Sequence, residues 1–316
     1  MRLNNLQLAD ESKVDLVIDN GIITSIESAT NSGDYDMDGL VALPGFVDLH
    51  THLREPGFEA SETVLTGSRA AASGGYTAVF AMANTQPVAD NAGVVTQVYE
   101  LGRKAGLVEV RPVGAITKNL EGQELAHLGG MAGSKAKVNF FSDDGHCVSD
   151  AALMKTAMEY LKPLGGTIAQ HAQEPSLTRG SQVNEGEISR ITGLKGWPSS
   201  AEESIILRDI LLSGQTGCPL HICHVTSKLG VELIRWGKQR GFPVTAEVTP
   251  HHLMLTELSA QNYDTRYKVN PPLRTREDTE ALIEGLVDGT LDVIGTDHAP
   301  HASDLKDQEW ESAAFG

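Results

Sequence analysis

The stretch Gly45-Phe-Val-Asp-Leu-His-Thr-His-Leu-Arg-Glu-Pro-Gly57 contains an apolar run that ends in two histidines one residue apart. In a β-strand, residues i and i+2 point to the same face, about 7 Å apart along the chain. His50 and His52 can therefore hold one metal ion between them. Arg54 follows at once and supplies a cation. The stretch predicts a strand that ends in a metal site, with a substrate anchor beside it.

Composition narrows the classes of partner and the compartment. The chain has 316 residues, 40% of them hydrophobic, which is ample for a large core. Its formal charge of −17 argues against nucleic acid or an anionic membrane as a partner. No apolar run approaches the roughly 18–20 residues that span a bilayer, and the start, Met1–Gln7, lacks the apolar core of a signal peptide. Three cysteines, Cys147, Cys218 and Cys223, fit a reducing compartment and predict a cytoplasmic protein.

The first residues are predicted to form strands. Val14–Asp19 and Gly21–Ile26 flank Asn20-Gly21, which is a strong signal for a tight hairpin. These strands have too few partners to make a stable independent sheet. Residues 1–44 are therefore predicted to be the β-strand portion of a small composite β-sandwich domain.

After Val41, short β-rich runs alternate with helical stretches. The candidate strands are Gly45–His50, Tyr76–Ala83, Val108–Ile116, Lys137–Ser142, Gly166–His171, Pro219–His224, Pro243–Thr249 and Asp292–Thr296. The candidate helices, with apolar residues three and four apart, are Glu62–Ala72, Val94–Lys104, Asp150–Leu161, Ala201–Leu212, Ser227–Gln239 and Arg276–Val287. This alternation predicts an α/β fold, a TIM (β/α)8 barrel over residues 45–316. No helix is recognisable after the eighth strand, so the barrel is expected to be incomplete at its C-terminus, with its last helix missing.

Three connections depart from a regular strand–helix alternation. Lys118–Ser134 is rich in glycine and only weakly helical, and Glu174–Trp197 is irregular. Ser303–Ser312 is acidic and polar, and is predicted to be mobile near the site. Long loops on the top face of a barrel are where substrate contacts usually lie.

Histidine and aspartate recur at the ends of the predicted strands, where barrel enzymes carry their chemistry. The residues are His50, His52, Asp143-Asp144, His171, His224 and Asp297. A lone histidine or aspartate at such a place is more often structural, but here five strand ends converge on one rim. Nitrogen and oxygen ligands without thiolate suit Zn²⁺, with Mn²⁺ or Co²⁺ as substitutes. One bridging carboxylate can hold two such ions.

Other residues near these motifs are predicted to be structural. Surface or core roles are expected for His127, His146 and His221. His251 and His252 follow the seventh strand, where a structural role and the orientation of a ligand are both open. By strand alternation, Cys223 should point away from the site.

Six segments together carry a family resemblance. They are Asp48-Leu-His-Thr-His-Leu-Arg-Glu-Pro-Gly57, Met82-Ala-Asn-Thr-Gln-Pro87, Phe141-Ser-Asp-Asp-Gly145, Val248-Thr-Pro-His-His252, Lys268-Val-Asn-Pro-Pro-Leu-Arg274 and Thr296-Asp-His-Ala-Pro-His301. With them the chain resembles the amidohydrolase superfamily and, more closely, the class I dihydroorotases. The resemblance implies that a complete member would be about a quarter longer, so a C-terminally truncated chain is expected.

The resemblance also implies a metal centre of two zinc ions. His50, His52 and Asp297 would bind the first ion, and His171 and His224 the second. Many relatives bridge their ions with a carboxylated lysine on the fourth strand. Here Asp143-Asp144 occupies that position, and the resemblance implies that Asp144, together with hydroxide, bridges the two ions.

The implied reaction is the reversible cyclisation of N-carbamoyl-L-aspartate to L-dihydroorotate, a step of pyrimidine synthesis. Asp297 would be the catalytic proton carrier. Arg54, Asn84 and His301 match positions that hold the substrate carboxylate, and Asn270 matches one that contacts the ring. The full set of expected substrate-binding residues is His52, Arg54, Asn84, Asn270, His301, Phe315 and Gly316.

Two other functions remain open on the sequence. One is another cyclic amidohydrolase, such as a dihydropyrimidinase, hydantoinase or allantoinase, whose substrates lack the ring carboxylate. The other is a non-catalytic, dihydroorotase-like scaffold of aspartate carbamoyltransferase, in which metal ligands would be lost. A homodimer and an association of the active enzyme with that transferase are likewise open.

Overall fold

The computed structural model describes residues 1–30 and 32–316, which form two compact units, Met1–Phe46 and Val47–Gly316. The first unit is a mixed sheet in the order β3-β2-β1-β4. Its strands are β1 (Arg2–Gln7), β2 (Lys13–Asp19), β3 (Ile22–Ser28) and β4 (Tyr35–Asp36). The predicted hairpin is present: Asp19 pairs with Ile22, and Asn20 and Gly21 take the positive φ angles of 51° and 78° that a tight turn requires.

The remaining chain alternates strands and helices, as predicted. The strands are β5 (Phe46–Thr51), β6 (Tyr76–Ala81), β7 (Glu109–Pro112), β8 (Phe140–Phe141), β9 (Thr167–Gln170), β10 (Val183–Asn184), β11 (Gly196–Trp197), β12 (Leu220–Ile222), β13 (Val244–Val248) and β14 (Val293–Ile294). The helices are α1 (Val64–Ser73), α2 (Ala92–Ala105), α3 (Leu128–Ala132), α4 (Ala151–Leu161), α5 (Pro175–Thr178), α6 (Glu187–Thr192), α7 (Ser200–Thr216), α8 (Lys228–Gln239), α9 (Pro250–Met254), α10 (Arg276–Val287) and α11 (Ser303–Lys306). Short 3₁₀ turns lie at Lys118–Leu120, Lys162–Leu164, Glu257–Ala260 and Thr265–Tyr267.

Each of the eight predicted strands overlaps an observed one, and the α/β class is confirmed. Regular pairing, however, divides them between a five-stranded sheet, β14-β13-β12-β9-β8, and a three-stranded sheet, β5-β6-β7. Isolated parallel bridges, Gly114 with Phe141 and Thr51 with His298, lie where the two sheets approach each other. The described residues therefore do not form one continuous closed barrel sheet. Where the two sheets meet, the strands are joined by single bridges instead of regular hydrogen-bonded pairing.

Caps and core explain why the helices form where they do. The Asp150 side chain accepts from the Leu153 N–H (2.8 Å), and the Ser227 hydroxyl accepts from the Gly230 N–H (3.1 Å), so each residue caps the start of its helix. The predicted helix Ala201–Leu212 begins one residue too late, since α7 already includes Ser200. Beneath the helices, buried apolar side chains from α4, α7, α8 and the central strands form one cluster. That packing holds the carboxyl ends of the strands in place.

Two segments are more ordered than their composition suggested. Glu174–Trp197 contains α5, α6 and the parallel pair β10–β11. Ser303–Ser312, predicted as a polar loop, contains α11 and the buried Trp310, and its mobility stays a prediction. In the part of the chain that the structure describes, no helix combines the length and apolar character needed to cross a bilayer.

Candidate metal centre and substrate pocket

The structure brings all six predicted ligands together at the carboxyl ends of their strands. Three of them follow directly or closely on strands β5, β9 and β12: His52, His171 and His224. The rings of His50 and His52 have centroids 5.4 Å apart, as expected for side chains on one face of a strand. His224 and Asp297 have positive φ angles of 30° and 48°, a conformation that costs free energy in residues other than glycine and that clusters at functional sites.

Asp144 lies at the middle of this group. Its Oδ2 is 3.3 Å from His50 Nε2 and 3.2 Å from His52 Nε2. Its Oδ1 is 3.4 Å from His171 Nδ1 and 3.2 Å from His224 Nε2. One carboxylate thus faces two separate histidine pairs, one with each oxygen.

Asp297 completes the first of these pairs. Its Oδ1 is 3.1 Å from His52 Nε2 and 3.4 Å from His50 Nε2. The side chain is only 7% exposed, so the carboxylate is held close to both rings with little access to water. The first pair therefore has carboxylate oxygens of both Asp144 and Asp297 beside it.

These side chains fit divalent cations. Ligand atoms of His50, His52 and Asp144 lie within 4.8 Å of one another, as do those of Asp144, His171 and His224. His50 Nε2 is buried without a hydrogen-bond partner, a costly state that a bound ion would relieve. Imidazole and carboxylate donors of this kind suit zinc.

The buried carboxylates and imidazoles of the site shift one another's pKa values. Burial would raise the pKa of Asp144, but the charge of His50 and hydrogen bonds from His171 and His224 outweigh it and hold that pKa well below its usual range. Burial opposes protonation of His50, yet Asp144 and Asp297 raise the pKa of His50 well above its usual value. The carboxylates are therefore stabilised by positive charge nearby. A bound divalent cation would supply that charge in place of the imidazole protons.

Glu247 is a candidate functional residue that the sequence interpretation missed. It is fully buried on β13, and its carboxylate accepts from His50 Nδ1 (2.5 Å), His221 Nε2 (3.1 Å) and the His224 N–H (3.2 Å). The bond to Nδ1 leaves His50 Nε2 directed at Asp144 and Asp297, so Glu247 sets which nitrogen can bind an ion. The signal was an isolated acid inside the apolar strand Val244–Val248.

His127, His146 and His221 take the surface or core positions predicted for them, whereas Cys223 lies closer to the site than predicted. His127 and His146 are exposed, His221 is buried, and the ring of His252 bonds to the Thr249 hydroxyl (2.7 Å) and the Pro271 carbonyl (3.1 Å). The prediction for Cys223 was wrong: potential ligand atoms of Cys223, His50 and Glu247 lie within 4.8 Å of one another. Alternation fails because β12 ends at Ile222.

A cavity of about 300 Å³ opens onto the ligand cluster. Every predicted substrate-binding residue lines it: His52, Arg54, Asn84, Asn270, His301, Phe315 and Gly316. Asp144, His171 and Asp297 lie in its wall. Four of the six predicted metal ligands and all of the predicted substrate contacts therefore border one space.

One side of this cavity is cationic. Arg54 donates through Nε to the Pro300 carbonyl (3.1 Å), and its Nη2 is 3.5 Å from His301 Nε2. Burial, Arg54 and Lys306 lower the pKa of His301 to about 4, so its ring is neutral at pH 7. Asn84 Oδ1 is 2.9 Å from His52 Nδ1, which orients that ring as Glu247 orients His50. An anionic group of a ligand would meet Arg54 here.

Comparisons with known proteins agree with this geometry. A family model described as dihydro-orotase-like matches residues 39–230. A dihydroorotase of Leifsonia xyli subsp. xyli is 61% identical over 317 residues, covering 99% of this chain and 72% of the relative. The dihydroorotase of Mycobacterium tuberculosis is 50% identical over 308 residues, covering 96% of this chain and 72% of that protein.

Solved structures share the fold at low sequence identity. An L-hydantoinase from Arthrobacter aurescens superposes with a TM-score of 0.83 at 23% identity, and a dihydropyrimidinase from Brevibacillus agri NCHU1002 with 0.78 at 21%. Each match covers all of this chain and 73% of the other.

The chain shares the α/β fold of these solved structures, and buried clusters of histidine and aspartate lie at its strand ends, which together define a class of fold and site. Within this class, the identity to curated relatives over nearly the whole chain is decisive. The chain belongs to the dihydroorotase family of cyclic amide hydrolases.

Proposed function

We propose that this chain interconverts N-carbamoyl-L-aspartate and L-dihydroorotate at a centre of two zinc ions bridged by Asp144. The observation that carries the proposal is the position of Asp144, with one oxygen toward His50 and His52 and the other toward His171 and His224. In this assignment Asp297 completes the first ion's ligands. Two metals about 3.5–4 Å apart are the usual arrangement when one carboxylate is shared.

When bound, such ions polarise the carbonyl under attack and make water nucleophilic near neutral pH. The protein supplies the proton transfer. Asp297 borders the cavity. Burial opposes ionisation of its carboxyl, but the charges of His50 and His52 keep the pKa of that carboxyl low. Asp297 is therefore ionised and can accept the proton of the attacking water, then deliver it to the departing amide nitrogen. In the synthetic direction the same carboxyl carries the proton in reverse.

The cavity wall supports a preference for a carboxylated ring. Arg54 offers a planar guanidinium beside the neutral His301, which suits a carboxylate. Asn270 Oδ1 is buried without a hydrogen-bond partner, so it is available to accept from a ring N–H. Hydantoin and allantoin lack the ring carboxylate and would leave Arg54 unused.

The proposal is tested by metal content and substrate preference. Purified protein should contain about two zinc ions per chain and turn over dihydroorotate in strong preference to hydantoin and allantoin. Asp297→Asn, checked for retained metal, should lose turnover in both directions. A metal-free protein, a preference for an uncarboxylated ring, or near-normal activity of the variant would each contradict the corresponding part of the proposal.

Some expectations from the sequence stay predictions. They are a TIM (β/α)8 barrel over residues 45–316, a composite β-sandwich that includes residues 1–44, a homodimer, an association with aspartate carbamoyltransferase and a cytoplasmic location. The scaffold alternative is disfavoured by the six ligand side chains, which are all present and adjacent.

A further inference from the structure

Lys268 is a buried lysine whose ammonium contacts the backbone of a distant segment. Its side chain is 2% exposed, and Nζ donates to the carbonyl oxygens of Trp310 (2.6 Å) and Ala313 (2.7 Å). Nζ also lies 3.3 Å from the Glu311 carbonyl oxygen. All three contacts fall within Trp310–Gly316, the segment whose last two residues line the cavity.

A second lysine fastens the same segment from its other side. Lys306 Nζ donates to the Ala314 carbonyl (2.8 Å) and to the Lys268 carbonyl (3.0 Å). The Gly316 N–H also donates to the Lys268 carbonyl (2.9 Å), and the Asn270 N–H donates to the Gly316 carbonyl (3.0 Å). The two lysines and this backbone pairing tie the segment to the stretch that carries Asn270.

Phe315 connects the lysine contacts to the cavity, because its ring packs against Lys268 and also lines the cavity. Lys268 Nζ lies 4.4 Å from the centroid of the Phe315 ring, which is within cation–π range. Trp197 packs against the same ring edge-on, with centroids 6.0 Å apart. Phe315 is thereby held between a cation and an aromatic ring beside the wall formed by Asn270 and His301.

Burying an ammonium group is costly, which makes the choice of residue informative. Burial lowers the pKa of Lys268, and burial together with Lys268 lowers the pKa of Lys306 to about 8. A methionine would fill much of the same space without this cost. The lysine instead joins backbone carbonyls that have no partner within their own segment, which an apolar side chain cannot do.

We propose that Lys268, supported by Lys306, is a positioning residue that holds Trp310–Gly316 against the cavity and thereby sets the affinity for the cyclic substrate without touching it. This inference rests on the proposed function for its ligand. If the wall is fixed in advance, substrate binding does not have to order it. Loosening the segment should therefore weaken binding and leave the chemistry of the metal centre intact.

The test compares Lys268→Met and Lys306→Met with the unmodified protein, each loaded with zinc and checked for metal content. We expect KM for dihydroorotate to rise about tenfold or more, with kcat within about twofold. Hydrogen exchange of the backbone amides of residues 310–316 should accelerate in both variants. Lys238→Met is the matched control. Nζ of Lys238 also donates to a backbone carbonyl, that of Gly289 (3.2 Å), but this contact lies outside the cavity wall. The substitution should change neither KM nor the exchange of residues 310–316.

A folded, zinc-loaded Lys268→Met protein with unchanged KM and unchanged exchange would overturn the inference, and so would a fall in kcat at constant KM. If Lys268→Met does not fold, Lys306→Met decides alone by the same criteria. Failure of the proposed function has a different signature. The zinc-loaded, unmodified protein would then not turn over dihydroorotate, whereas the exchange measurement would still show whether the lysines hold the segment.

Discussion

Replacing Glu247 by glutamine tests whether a residue outside the ligand set controls metal binding. The substitution preserves the size of a fully buried side chain and removes its charge. Burial opposes ionisation of Glu247, but His50 and His221 hold the pKa of its carboxyl below the usual range. The unmodified residue is therefore a carboxylate, and the variant presents a neutral amide to the same three donors.

The expected loss follows from those contacts. Each charge-assisted hydrogen bond that becomes neutral loses about 1 kcal/mol, and Glu247 accepts from His50, His221 and the His224 backbone. The total is about 2–3 kcal/mol, which at 1.4 kcal/mol per factor of ten is roughly 30- to 100-fold in zinc affinity. That value agrees with the roughly 10- to 100-fold effect of removing partners of metal-bound histidines.

Competition with a chromogenic chelator would measure zinc affinity directly. Glu202→Gln is the matched control, because Glu202 is also buried and accepts from the Thr226 and Ser227 backbone N–H groups (2.9 and 3.2 Å) without contacting a ligand histidine. It should lower the free energy of unfolding and leave zinc affinity unchanged. The reasoning is refuted if Glu247→Gln binds zinc as tightly as the unmodified protein, or if Glu202→Gln loses affinity equally.

Further outcomes follow from the same geometry. Asp144→Ala should reduce zinc at both histidine pairs, because one carboxylate faces both; elemental analysis that finds one site still full would contradict a shared ligand. Arg54→Met should raise KM for dihydroorotate about 100-fold, from loss of a charge-assisted contact of about 2–3 kcal/mol, and should not affect turnover of hydantoin, which has no carboxylate. The pKa of His301 is lowered to about 4, so the unfolded chain binds its proton first as pH falls. Its contribution to stability is therefore lost as the pH falls from about 6.5 to about 4. In chemical denaturation, the free energy of unfolding of His301→Gln should vary less with pH across that window. An unchanged pH dependence would count against the lowered pKa of His301.

The ligand cluster could be predicted because it depends on local rules. Strand alternation places His50 and His52 on one face, and the barrel pattern predicted from the sequence brings the strand ends that carry His171, His224 and Asp297 near them. The cavity contacts came from family resemblance rather than from spacing. Among them, only Arg54 could be singled out without the resemblance, because it is a cation two residues after His52.

The rest depends on contacts between residues far apart in sequence. Glu247 acquires its role from His50, nearly two hundred positions earlier, and strand periodicity shows only that an acid is buried. The Ser303–Ser312 segment is polar in composition, but Lys268 anchors its neighbourhood through backbone carbonyls that any residue would carry. Cys223 was misplaced because alternation was extended beyond the last residue of β12, where the backbone turns into the positive φ of His224.

The shared position of Asp144 has a consequence for how substrate reaches the site. The chain carries a formal charge of −17, so an anionic substrate approaches against an unfavourable field. Two divalent cations held by neutral imidazoles and only two carboxylates would give the centre a net positive charge, next to the guanidinium of Arg54. The metal-loaded centre would then attract anionic substrates locally, although the rest of the protein surface repels them. Its association rate with anionic substrates should depend on ionic strength in the sense of attraction, and the metal-free protein should lose that attraction.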